Sequence, residues 1–325
     1  MMLRFVCLTL IMVHYSCEEI DPNEPGALVP KTVEQDLSLP SIDVNGTKLH
    51  SVSFGDPTNT MVVFLHGGPG ADYRNAIEAK QLSTNGYFVI FYDQRGSGLS
   101  KRHKKNSYSI QLMIDDLSAV IEHYRTSPNQ KIFLIGHSWG GMLATAYVNQ
   151  NPNKVAGLVL AEAGGLTYDD FTKYGESSKK LNLFSETTND VIYVDQFFTG
   201  SENQHELLDY KLNIRSSFSY AEGNDEGIEG PSPFWRNGAV VLFALADIAE
   251  KDKFDFTTNL NQFNKKVLLL YGERNKSYGL TFAQKEAGYF NNSQIEKIEG
   301  TGHEMFYFKW DVIYPKILNY LNSLN

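Results

Sequence analysis

Lys131-Ile132-Phe133-Leu134-Ile135-Gly136-His137-Ser138-Trp139-Gly140-Gly141-Met142-Leu143-Ala144-Thr145-Ala146-Tyr147-Val148 is the stretch from which the rest of the chain can be read. An apolar run of strand length ends at Ile135, and a helix-like stretch starts at Met142. A strand that enters a helix through so tight a turn forces strained backbone on the central residue, so small neighbours are needed on both sides. Glycines stand at 136, 140 and 141. Such a turn lifts the Ser138 hydroxyl clear of a sheet and sets the backbone N–H groups of a helix N-terminus beside it, where an oxyanion can be held. Gly-x-Ser-x-Gly alone is a weak string; flanked by strand and helix it reads as a nucleophile elbow, with Ser138 as nucleophile.

Working outward, further continuous apolar runs have the look of strands buried on both faces: Met61 to Leu65, Tyr87 to Tyr92, Val155 to Leu160 and Val267 to Tyr271. Helical spacing separates them, at Ile110, Met113, Ile114, Leu117, Val120 and Ile121, and again at Ile313, Ile317, Tyr320 and Leu321. Asn45-Gly46 between two short alternating segments is a hairpin signal. The expected fold class is α/β: a mostly parallel sheet with helices on both faces, opened by an antiparallel hairpin. Between Gly165 and about Leu260 the alternation stops and aromatic residues mix with acidic ones, which predicts an inserted, mainly helical cap over 166–260. The core is then 39–165 and 261–325. Apolar cap segments such as Val191 to Phe198 and Gly238 to Ile248 are expected to serve the cap's own packing.

The chain has 325 residues, 42% of them hydrophobic, with 20 Phe and 18 Tyr, which is the composition of a folded globular protein. Its formal net charge of -9 argues against nucleic acid as a partner, and the basic stretch Lys101-Arg102-His103-Lys104-Lys105 reads as a solvated loop. At the amino terminus, Arg4 and the apolar Phe5 to Val13 form an export signal too short to span a bilayer, expected over 1–16. Ser16-Cys17 followed by Glu18-Glu19-Ile20-Asp21-Pro22 resembles a bacterial lipoprotein signal, although His14 stands where an aliphatic residue is usual. That resemblance implies an exported, cell-envelope protein that meets the membrane only through a lipid on Cys17; plain secretion is the alternative. Residues 17–38, with Pro22, Pro25, Gly26 and Pro30, are expected to be a flexible tether. Once Cys7 leaves with the signal, Cys17 has no internal disulfide partner.

A serine hydroxyl is too weak an acid to react near neutral pH without a base. Among the histidines, His303 stands apart: it follows the strand-like Gln294 to Ile298 through Gly300-Thr301-Gly302 and opens the last helical segment, at the carboxyl edge of the sheet where ligands gather in open α/β folds. It is the candidate general base and acid. Oxyanion donors are expected from the backbone of Trp139, next to the serine, and from Gly68 in His66-Gly67-Gly68-Pro69-Gly70, with Gly67 as alternative. No cofactor is implied. The chain lacks Gly-x-Gly-x-x-Gly, Gly-Lys-Ser/Thr and His-Glu-x-x-His patterns, and two cysteines cannot build a metal cluster.

His66-Gly67-Gly68-Pro69-Gly70, Asp93-Gln94-Arg95-Gly96-Ser97-Gly98 and Gly136-His137-Ser138-Trp139-Gly140-Gly141 together resemble the α/β-hydrolases of the prolyl aminopeptidase (proline iminopeptidase) family. The resemblance implies an α/β-hydrolase fold and release of an N-terminal proline or similar residue from short peptides. It also implies that Asp93-Gln94-Arg95 braces the loops near the site and that cap carboxylates hold the substrate ammonium. Glu186, Glu202, Glu222, Glu226 and Glu229 are the cap candidates. One departure stands out. Where the family carries aspartate in a Gly-x-x-Asp turn, this chain reads Gly272-Glu273-Arg274-Asn275. Glu162, at the end of the strand after the nucleophile helix, is the expected replacement acid; Asn275 is the alternative orienter, uncharged, with Glu273 behind it. The substrate is a small molecule or short peptide. A carboxylic ester or amide, or a binding protein on the same scaffold, stays open beside the aminopeptidase.

Overall fold

The computed structural model describes residues 26–178, 201, 203–217 and 224–325. Within them, eight strands form one sheet: β1 (Ser41–Val44), β2 (Thr47–Phe54), β3 (Thr60–Leu65), β4 (Tyr87–Tyr92), β5 (Ile132–His137), β6 (Gly157–Ala161), β7 (Val267–Gly272) and β8 (Ser293–Ile298), in the order β1-β2-β4-β3-β5-β6-β7-β8. The first three in that order pair antiparallel and the rest pair parallel. The hairpin turn behaves as its sequence requires: Val44 faces Thr47, and both Asn45 (φ 44°) and Gly46 (φ 71°) take the left-handed conformation of a two-residue turn.

Alternate residues of each central strand feed opposite faces of the sheet. Met61, Val63 and Leu65 of β3, with Leu158 and Leu160 of β6, join α1 (Ile110–Tyr124) and α2 (Trp139–Gln150) in one core. Val62, Phe64, Val159 and Ala161 face the other way, against a 3-10 segment over Tyr73–Asn85 and the carboxyl-terminal helix. Burial on both faces explains why these strands read as unbroken apolar runs. β8 is different. It is an edge strand whose Lys297 pairs with Glu273 and Glu299, charge that discourages pairing with another sheet.

Between β6 and β7 lie α3 (Tyr168–Ser178), α4 (His205–Ser216) and α5 (Ala239–Asp252). The insertion leaves and rejoins the core at one place, where Tyr168 N–H donates to Phe254 O and Phe256 N–H donates to Leu166 O, both at 2.9 Å. Among the described residues, Val240, Val241, Ala244 and Leu245 of α5 pack into the cluster of α1 and α2 and not into a separate cap core. After β7 come α6 (Gly279–Ala287), then β8, the short α7 (Met305–Phe308) and α8 (Trp310–Asn322).

The amino-terminal tether expected over 17–38 is corrected from residue 29 onward. Val29 and Val33 are 6% and 1% exposed, Val33 N–H donates to Leu99 O at 2.8 Å, and Arg236 donates to Pro30 O at 2.9 Å. The two valines give the stretch an apolar face to bury, and that outweighs its prolines. The signal, Cys17, Val191 to Phe198, Glu186, Glu202 and Glu222 lie outside the described residues. No described helix is long and apolar enough to cross a membrane.

Candidate active site

Ser138 follows β5 directly, with φ 53° and ψ -122°, and its N–H donates to Ala161 O at 2.9 Å. A non-glycine residue held there costs on the order of 1–3 kcal/mol, which the surrounding packing must supply. The glycines are sterically required: a Cβ on Gly140 would lie 2.0 Å from Leu65 O, and one on Gly136 would lie 2.4 Å from Gly140 O. β6 repeats the bend. His137 and Ala161 are register partners, and the residue after each strand, Ser138 or Glu162 (φ 46°), turns left-handed; Glu162 N–H donates to Leu270 O of the next strand at 3.1 Å. Nucleophile and carboxylate therefore occupy equivalent places on neighbouring strands, about 5 Å apart in the pairing direction.

Glu162 is fully buried and its carboxylate meets three donors. Oε1 accepts from Gly272 N–H at 2.7 Å, while Oε2 accepts from Asn275 Nδ2 at 2.7 Å and faces His303 Nδ1 at 2.8 Å. In the neutral ring the carboxylate fixes the tautomer: Nδ1 carries the proton toward Glu162, which leaves Nε2 as the basic nitrogen. His303 comes from the loop after β8, and His137 joins that loop to the elbow. Its ring centroid is 4.7 Å from that of His303, and its Nε2–H donates to His303 O at 2.8 Å. Burial depresses the basicity of His303. The hydrogen bond to Glu162 and the charges of Glu226, Glu162 and Glu304 outweigh it, raising the pKa to about 9 from 6.5.

Across the nucleophile runs the loop His66–Gly70, where a Cβ on Gly67 would come 3.2 Å from Ser138 Cβ. Gln94 clamps it: its N–H donates to His66 Nε2 and its side-chain amide donates to His66 O, each at 2.9 Å, while its oxygen accepts from Trp139 Nε1 at 2.9 Å. Asp93 ties down the next turn by accepting from Leu99 N–H at 2.8 Å and bonding His50 at 2.8 Å, and Arg95 forks onto Asp116. Among the described residues, the backbone N–H groups of Gly68 and Trp139 meet no protein acceptor. Backbone donors left open on the loops that carry Gly67 and Ser138 are of the kind able to stabilise negative charge on oxygen. The match to known families agrees with this geometry, for the alpha/beta hydrolase fold family matches residues 60–309. The chain belongs to the α/β-hydrolase fold family.

Among curated relatives, this α/β-hydrolase is 28% identical over 202 residues to the proline iminopeptidase of Thermoplasma volcanium, covering 56% of the chain and 66% of that protein. It is 22% identical over 288 residues to proline iminopeptidase PfmaB of Pestalotiopsis fici, covering 87% and 99%. Its fold superposes with a TM-score of 0.64 on a thermophilic esterase from Thermogutta terrifontis, at 19% identity over 87% of this chain and 97% of the other.

The hydrolase fold brings Ser138, Trp139, Gly68, Glu162 and His303 to one edge of the sheet and sets Asn275 behind them. Asn275 bonds Glu162 through Nδ2, and its oxygen accepts from Tyr278 N–H at 3.0 Å. Glu273 points elsewhere, toward Lys297 and the N–H of Gly300. Two neighbours were missed in the sequence. Tyr174 of α3 donates to Glu226 Oε1 at 2.7 Å with its hydroxyl 3.4 Å from His303 Nδ1, and Glu304 accepts from Asn75 at 2.8 Å. Glu304 could have been suspected from its place beside His303; nothing distinguishes Tyr174 from the other tyrosines. Of the cap carboxylates, Glu226 O accepts from His303 N–H at 2.9 Å and Glu229 Oε1 accepts from Gly302 N–H at 3.3 Å. Among the described residues, no cluster of His, Cys, Asp and Glu is arranged to hold a metal ion.

Proposed function

We propose that this α/β-hydrolase is a serine hydrolase of aminopeptidase type that acts on short peptides through an acyl-enzyme. The observation that carries the reading is the Glu162–His303 hydrogen bond of 2.8 Å, on a loop that packs against His137, the residue before the strained serine. Ser138 Oγ attacks the scissile carbonyl while His303 Nε2 takes its proton, and Glu162 offsets the imidazolium charge. The tetrahedral oxyanion is held by the N–H groups of Trp139 and Gly68. His303 then passes the proton to the leaving amine, and a water deacylates Ser138 by the same route in reverse.

Carboxylates favour a substrate with a free ammonium group. Glu226 and Glu304 both act electrostatically on His303, and Glu229 has one carboxylate oxygen, Oε2, that is buried without a hydrogen-bond partner. An ammonium donated to that oxygen would satisfy it, whereas a neutral ester would leave it unpaired. The likeness to two proteins named proline iminopeptidase supports the same class. Two measurements test the reading on the purified chain. A fluorophosphonate should label Ser138 and leave Ser138→Ala unlabelled. Proline and alanine arylamides should then be cleaved with kcat/KM at least about tenfold above their N-acetylated forms, the discrimination expected when a buried polar group loses its partner. An unlabelled native chain sinks the hydrolase reading; faster cleavage of short aryl esters than of any free-amine arylamide transfers it to a carboxylesterase.

A further inference from the structure

The proton inventory of Asn275 gives its side chain a direction. Tyr278 N–H can only donate, so the atom it meets at 3.0 Å is the amide oxygen of Asn275, and the NH2 group is thereby turned to Glu162 Oε2 at 2.7 Å. That oxygen is the one bonded to His303 Nδ1 at 2.8 Å. Both partners are buried, with Asn275 1% exposed and Glu162 0%. Gly272 N–H, the donor on Oε1, pins the far end of the carboxylate. Rotation of Glu162 is therefore resisted from two sides, by the end of β7 and by the turn after it, and Asn275 holds the end that faces the histidine.

From this arrangement we infer that Asn275 is a positioning residue for the proposed reaction, acting through Glu162, and that positions 162 and 275 work as a reciprocal pair that accommodates one carboxylate and one amide. The inference rests on the serine-hydrolase reading for its catalytic consequence and on geometry alone for its electrostatic one. A carboxylate at 275 would meet Glu162 at hydrogen-bond distance, where two like charges cannot both stay ionised without strongly raising one pKa. With glutamine at 162, the same carboxylate would meet an amide and supply the negative charge otherwise missing within about 5 Å of the imidazole. Aspartate keeps the oxygen that accepts from Tyr278, so Asn275→Asp leaves the loop's own hydrogen bond in place and changes what faces Glu162 and the Tyr174 hydroxyl.

The sign of the effect is the test. The groups facing His303 are Glu162, Glu226 and Glu304, with Tyr174 and His137, and all of them stay unchanged except at position 162. In the Glu162 background, Asn275→Asp should slow fluorophosphonate labelling of Ser138 about tenfold. In the Glu162→Gln background the same substitution should speed labelling at least about tenfold and raise the His303 titration midpoint, followed by imidazole NMR signals. Changes of the same sign in both backgrounds overturn the inference and leave Asn275 a loop residue. Should an aspartate variant fail to fold, Asn275→Ala gives the second reading. Its loss of labelling combined with that of Glu162→Gln should fall well short of the product of the two single losses, and a multiplicative result counts against the pair. If the native chain takes no label, the hydrolase reading has failed, and the NMR midpoints of the same variants decide the inference by themselves.

Discussion

In the proposed mechanism, Glu162 is the single side chain on which the chemistry turns. Its replacement by glutamine keeps size and shape but removes the charge that stabilises an imidazolium, so Glu162→Gln should cut kcat at least about a hundredfold with little change in KM. Near-normal turnover would remove Glu162 from the mechanism. The pH profile follows from the same contact. Only neutral His303 can accept the serine proton, and its pKa is raised to about 9, so kcat/KM of the native chain should climb as pH rises through that value. In Glu162→Gln burial acts with less opposition, and the acid limb should move to lower pH. Stability carries the opposite sign. A histidine whose pKa rises on folding contributes stability that is present below 6.5 and lost as pH rises through about 9, and this contribution should shrink in Glu162→Gln when unfolding is followed against pH.

α4 and the segment around residue 226 show how elements of the cap are fastened. Asp209 of α4 is fully buried and takes three donors: Arg102 from the core at 2.9 Å, Arg236 at 2.7 Å, and the N–H of Ala239, which opens α5, at 2.9 Å. Asp209→Ala would strand two buried guanidinium groups and should cost about 3–5 kcal/mol, read as a fall in Tm of roughly 5–10 °C. The pair Lys101–Glu34 spans the same face at 2.7 Å, but both side chains are a third or more exposed, and Lys101→Ala should change stability by no more than about 1 kcal/mol. An unchanged Tm in Asp209→Ala would mean that the cap is held by apolar packing alone. The segment 224–229 lies directly on the histidine loop, since a Cβ on Gly302 would come 2.2 Å from Gly227 O. Removing the Glu226 charge in Glu226→Gln should therefore lower the His303 midpoint, while a midpoint that stays put would show that this carboxylate is screened from the ring.

At the scale of the molecule, the sheet was legible because its strands are buried on both faces and announce themselves as apolar runs, and the elbow because only glycines fit against Leu65 and Gly140. β8 was weaker, since an edge strand needs no such run. The left-handed bend at Glu162 has no signature, because a glutamate in that conformation is held by its partners and not by its own preference. Tyr174 was illegible for the same reason: its role comes from approach across the fold, between residues far apart in the chain. The packing of Val29 and Val33 was hidden by the prolines and acids around them. The amino-terminal reading makes its own prediction. A lipid-anchored chain should incorporate labelled fatty acid at Cys17 and sediment with membranes, and Cys17→Ser should release it; a native chain found unlipidated would leave plain secretion.

The repeated bend after β5 and β6 has a wider meaning. Parallel strands that finish in register offer a row of equivalent seats along one rim, each presenting a side chain toward the same bound atom. An acidic group can migrate one seat sideways while the nucleophile, the imidazole loop and the roof keep their addresses. Chemistry on such a scaffold is portable, and a vacancy in the customary place says little about whether the machine runs.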